Sequence, residues 1–127
     1  MTYARLALAL AVLACGQLRA SEFDPVQFTL DAKASLVRAY KDPGSAQFRD
    51  TYVIRWNDHG REVYSLCGEV NAKNSYGAYV GFRPFFVDML PSGELSPSSA
   101  LNVNPTMKER FAIDLCTGKL RPVTRIN

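Results

Sequence analysis

With 127 residues, a formal net charge of +3 and 47% apolar residues, the chain has room for one domain with a modest core. All twelve acidic residues but only thirteen of the fifteen basic ones follow position 20, so the chain from residue 21 onward carries a net +1. That balance excludes the basic footprint of a nucleic-acid-binding domain.

The N-terminus is a short basic region ending at Arg5, followed by an apolar run over residues 6–14. Nine apolar residues are too few for a bilayer span, which takes about 20, so residues 1–20 read as an export signal. Two processing sites compete. Val12-Leu13-Ala14-Cys15-Gly16 resembles the lipobox of bacterial lipoproteins, in which the cysteine (here Cys15) is acylated. Leu18-Arg19-Ala20 before Ser21 matches, imperfectly, the site of a soluble product. Either cleavage sends residues 21–127 beyond the inner membrane as a single domain, in the periplasm or lipid-anchored at the outer membrane. Either also leaves Cys67 and Cys116 as an even pair in an oxidising compartment, where a disulfide is expected. Two buried free thiols are the alternative.

Asp24-Pro25 opens a helix, Asp as cap and Pro at the first helical position. Val26, Leu30, Ala34, Val37 and Tyr40 recur at spacings of three and four, predicting the buried stripe, with Phe28, Leu36 and Ala39 widening it. Lys41-Asp42-Pro43-Gly44 stops the helix. Residues 51–56 and 63–70, rich in β-branched and aromatic residues, predict a hairpin turned by Asn57-Asp58-His59-Gly60. A third strand is expected from Tyr76 to Met89, interrupted at Pro84 in an edge position or bulge. Residues 91–99 read as loop. Asn104-Pro105 repeats the cap signature, and Met107, Phe111 and Leu115, four apart, predict a helix over 105–117 closed by Gly118, with a strand from Arg110 to Cys116 as the alternative. The predicted fold class is α+β: an N-terminal helix, a three-stranded antiparallel sheet and a C-terminal helix, the helices packed on one face.

Catalytic chemistry finds little support. His59, the single imidazole, sits between Asp58 and Gly60 and suits a turn better than a general base. Cys67 is better explained by a disulfide than as a nucleophile. Glu69 with Asp114 or Asp88 could form a glycosidase-like carboxylate pair, but no spacing brings them together. Neither a metal-ligand spacing nor a nucleotide fingerprint occurs, so no cofactor and no metal are expected. The stretch 67–86 stands apart. Glu69, Asn71 and Lys73 share a strand face behind Cys67, and Asn74 and Gly77 suit a turn. Two readings stay open. The amides cap a hairpin and satisfy its backbone, or Glu69, Asn71, Lys73, Asn74, Tyr76, Tyr79 and Arg83 form a recognition surface.

The same residues carry a resemblance. Asp42-Pro43-Gly44-Ser45-Ala46-Gln47-Phe48 matches a D-P-x-S-A-x-F segment, and residues 67–85 match C-G-x-V-N-x-K-N-x-x-G-x-Y-x-G-x-x-x-F. Together they resemble a group of short exported proteins, periplasmic or lipoprotein-like, of Gram-negative bacteria and their prophages. No activity attaches to that group. Ala78 stands where a second glycine is expected. The resemblance implies export, a helix-then-hairpin order and a special role for the stretch.

The expectation is a non-catalytic envelope module that contacts a protein or cell-wall component through a hairpin at 71–83, with no nucleic-acid partner. Membrane contact would come only through a lipid anchor at Cys15. An inhibitor or immunity protein against a secreted enzyme such as a lysozyme is the alternative, and a small hydrolase a third reading.

Overall fold

The computed structural model describes residues 21–127; the segment expected to be an export signal, with its two candidate cleavage sites and Cys15, lies outside the described residues. Asp24 caps the first helix, α1 (Pro25–Val37), its Oδ1 accepting from the N–H groups of Val26 and Gln27 at 2.9 and 3.1 Å. β1 (Gln47–Asp58) and β2 (Arg61–Asn71) form a long hairpin. Its turn residues His59 and Gly60 both have positive φ, the geometry whose twist matches the flanking strands. β3 (Arg83–Met89), β4 (Leu95–Pro97), α2 (Pro105–Cys116) and β5 (Val123–Ile126) follow.

All strands join one antiparallel sheet in the order β4-β3-β2-β1-β5, so the sheet has five strands and not three. β4 and β5 are three and four residues long, include or follow a proline, and lack the apolar alternation that marks a strand. Each exists because a longer neighbour offers it an open ladder.

The helices are also corrected, since they cover opposite faces of the sheet. Val53, Leu66, Phe85 and Val87 pack with Phe28, Ala32 and Leu36 of α1. Their chain neighbours Ile54, Cys67 and Phe86 pack with Ala112 and Leu115 of α2. Side chains alternate across a strand, so adjacent residues serve the two layers in turn. The buried stripe of α1 is Phe28, Ala32 and Leu36, while Val26 and Leu30 of the predicted stripe face solvent. Two apolar stripes compete on this helix, and the one containing Ala32 lets the backbone approach the sheet. On α2, Ala112 and Leu115 are buried, while Met107 and Phe111 are exposed.

Phe48 and Val53 belong to the same layer although Val53 lies an odd number of positions, five, after Phe48. A bulge resolves this. Arg49 pairs with Glu69 and Tyr52 with Cys67, so Asp50 and Thr51 together oppose Gly68, with Asp50 at φ 52°. A Cβ on Gly68 would lie 2.9 Å from Thr51 Cγ2 and 3.2 Å from the Arg49 carbonyl oxygen. Glycine is required there by close approach.

The third strand begins at Arg83, not Tyr76, and residues 72–82 are a loop. Pro84 precedes the β3–β4 pairing, which covers only Val87 to Met89, so it occupies an edge as expected. Cys67 and Cys116 are disulfide-bonded with Cα atoms 6.0 Å apart, tying the end of α2 to the middle strand β2. The Tyr52 hydroxyl donates to the Cys116 carbonyl at 3.2 Å over the same junction. Among the described residues no helix is long and apolar enough to cross a membrane.

Candidate functional site

Loop 72–82 leaves β2 after Asn71 and returns into β3 at Arg83. Its backbone is organised by two asparagine side chains. Asn74 Oδ1 accepts from the N–H groups of Tyr76 and Ala78 at 2.9 and 3.2 Å. Its own N–H donates to the Ala78 carbonyl at 2.9 Å, closing a tight turn through Gly77 at φ 79°. Ala78 is not at positive φ, so the glycine of the motif is not needed there. The buried Asn71 accepts through Oδ1 from the Gly81 N–H at 3.0 Å.

The 3-10 turn Pro43–Ser45 anchors the loop from outside. Ser45 Oγ accepts from the Lys73 N–H at 2.9 Å, and the Tyr79 hydroxyl donates to the Ser45 carbonyl at 3.0 Å. Lys73 and Tyr79 form a single antiparallel bridge, with the Lys73 ammonium 5.5 Å from the Tyr79 ring centroid. The two sequence segments that carry the resemblance are therefore bonded to each other. Phe48 and Phe85, at their far ends, meet edge to face with centroids 5.5 Å apart. Ser45 is the residue missed by reading the chain for a recognition surface, and its place in the D-P-x-S-A-x-F segment was the available signal.

The seven candidates fall into three groups. Asn71 and Asn74 hold the loop backbone, as the capping reading predicts. Glu69 and Arg83 lie at its two strand ends, engaged in ion pairs. Glu69 accepts from Arg49 at 2.7 Å, with the Arg49 guanidinium stacked 4.0 Å from the Phe82 ring centroid. That bond to Glu69 pushes the Arg49 pKa above its ordinary value. Arg83 reaches Glu109 of α2 at 2.5 Å. Tyr76, Tyr79 and Lys73 form the outer surface, and Tyr76 at the tip is 95% exposed. Asn71 is buried and so adds nothing to the exposed surface of the tyrosines.

Below the loop, Tyr40, Lys41, Val70, Val80 and Lys73 line a groove of about 300 Å³. A second recess of about 260 Å³ shares Tyr40, Val70 and Arg83 with it and is bounded by Ser99, Lys108 and Glu109. Burial pushes the Tyr40 phenol above its usual range, so it stays neutral.

The residues weighed for catalysis have other partners in the structure. The His59 ring touches only Asp58, at 2.9 Å, and is almost wholly exposed. This contact holds the Asp58 carboxyl below its ordinary value. Cys67 is consumed in the disulfide. Glu69 pairs opposite Pro84 and Asp88 opposite Ser65, four residues further along β3. At the strand rise this is about 13 Å, beyond either glycosidase separation. Asp114 is engaged instead by Arg110 and Lys119.

A second polar cluster lies on the α2 face. Trp56 Nε1 donates to Ser65 Oγ at 2.7 Å, and the fully buried Ser65 hydroxyl donates to the Asp88 carboxylate. Arg121 stacks 4.2 Å from the Trp56 ring centroid and sits 3.8 Å from Asp58. Burial outweighs the Ser65 bond and the Arg121 charge, and pushes the Asp88 carboxyl up to about 6.

The chain is thus an α+β protein whose sheet lies between two helices, with a hydrogen-bonded polar loop beside a groove. No protein family, curated protein or solved structure matches it.

Proposed function

We propose that the protein is an exported, non-catalytic binding module that contacts a protein or cell-wall component of a Gram-negative envelope through loop 72–82. One observation carries the reading. Side chains of Asn71, Asn74 and Ser45 satisfy four of the loop's backbone N–H groups, those of Lys73, Tyr76, Ala78 and Gly81, yet its tip holds Tyr76 in solvent, where no folding requirement places an aromatic ring. A preformed loop with a projecting tyrosine binds without first losing the entropy of ordering itself. Tyrosine is also enriched among residues that dominate interface energetics.

Affinity capture from envelope extract tests this, with the native protein and Tyr76→Ser as baits. Partners recovered by the native bait and lost with Tyr76→Ser are expected. Identical recovery from two folded baits would remove the reading. A second reading rests on the same projecting tip, which has the form of a loop that fills the concave site of a secreted enzyme. The protein would then lower the rate at which a lysozyme clears cell walls, and Tyr76→Ser would restore that rate.

A further inference from the structure

We propose that the groove beneath loop 72–82 binds an extended acidic peptide segment of a partner, its carboxylates on the rim and its apolar side chains on the floor. The inference rests on the chain being a binding module and assigns the chemistry of what it binds.

Charge is unevenly placed on this protein. Residues 21–127 carry thirteen basic and twelve acidic side chains, nearly balanced. The two recesses, which share Tyr40, Val70 and Arg83, nevertheless gather Lys41, Lys73, Arg83 and Lys108 against a single lining carboxylate, Glu109. Glu109 is already bonded to Arg83. Among the described residues, no carboxylate lies within ion-pair distance of Lys41, Lys73 or Lys108. The Lys108 ammonium is held in place by the Ser99 carbonyl at 3.1 Å. Three cations therefore surround the recesses without counter-charges from the protein, and field lines concentrate in such a concavity.

The floor decides among anionic ligands. Val70, Val80, Pro84 and Phe85 make it apolar, with the neutral Tyr40 phenol common to both recesses. An extended peptide presents alternate side chains to opposite sides at about 3.3 Å per residue, so it can seat valine-like groups below and glutamates above. A phosphodiester backbone has no apolar side chains for this floor. The cations also line a cleft, whereas a membrane surface would engage a flat or convex patch.

Fluorescence anisotropy with the purified, disulfide-bonded protein tests the proposal. The probes are a labelled peptide of alternating Glu and Val, its Gln-Val counterpart and a labelled oligothymidylate. The Glu-Val peptide is expected to bind, to weaken with added salt, and to bind at least about tenfold more tightly than the Gln-Val peptide. Lys41→Glu and Lys73→Glu should each weaken it about tenfold, since reversal removes an attraction and adds a repulsion. Lys41 lies outside the loop, so its variant remains informative if Lys73→Glu disturbs the turn. Absence of binding, binding indifferent to Lys41→Glu, or tighter binding of the oligothymidylate would overturn the proposal. Tyr76→Ser separates the two ideas. Peptide binding lost to groove reversals but unchanged by Tyr76→Ser supports the groove, even where envelope capture shows no dependence on the tip. Capture that depends on Tyr76, with no peptide bound, leaves the tip as the contact and eliminates the groove.

Discussion

Asp88→Asn offers the sharpest test of the internal energetics. The carboxyl lies on the α2 face of β3, accepts from the buried Ser65 hydroxyl and is pushed up to about 6 from an ordinary 3.8. Because the folded chain holds this proton more tightly than the unfolded one, the contribution to stability is greatest below pH 4. It is lost as pH rises toward 6, and above that the full cost of the buried charge applies. A rise of this size corresponds to at most about 3 kcal/mol, and screening at the partly exposed side chain lowers the expectation to about 1–2 kcal/mol. Asn has the shape of the protonated acid and keeps an oxygen for Ser65. Asp88→Asn should therefore be more stable than the native protein by about 1–2 kcal/mol at pH 7.5 and nearly equal to it at pH 4. Urea unfolding of both proteins across this range measures it, and their difference cancels every other titrating group. If Asp88→Asn is instead less stable at pH 7.5, then Arg121 and Ser65 outweigh desolvation, and the argument from burial is wrong.

Other predictions follow from single contacts. Reducing the Cys67–Cys116 bond, which closes a 49-residue separation, should cost on the order of 4 kcal/mol, read as a fall in the urea midpoint with reductant. Gly68→Ala should destabilise by about 1–3 kcal/mol, because the new methyl meets the backbone of Arg49 and Thr51 as well as the Thr51 side chain. Adding Thr51→Ser should therefore fail to restore the midpoint. Asn74→Ala removes the acceptor for two backbone N–H groups and should speed amide hydrogen exchange at Tyr76 and Ala78 while leaving β2 protected. Ser45→Ala should cost about 1 kcal/mol through the lost bond to the Lys73 N–H, and the same exchange measurement should show loosening at Lys73.

The candidate stretch could be read in the sequence because its physics is local. Asn74, Gly77 and Gly81 serve backbone geometry within ten residues of Asn71, and their residue types announce such roles. What these residues hold up could not be read. Ser45 joins the loop from 28 residues earlier, and the groove cations come from the segment after α1, the loop, β3 and α2. No spacing along the chain records that meeting.

Capping chemistry and turn geometry made both helix starts and the His59-Gly60 hairpin predictable, since Asp24, Asn104, Gly60 and Gly118 act on their immediate neighbours, and the even count of cysteines after residue 20 made the Cys67–Cys116 pair predictable. The bulge at Asp50 and Thr51, the short strands β4 and β5, the choice between competing stripes on α1 and the placement of the helices on opposite faces were decided only in three dimensions. Each depends on which surface a segment finds open when the sheet assembles. A three-residue strand or an amphipathic helix with two apolar stripes has nearly equal local energies for several outcomes, and burial against distant residues breaks the tie.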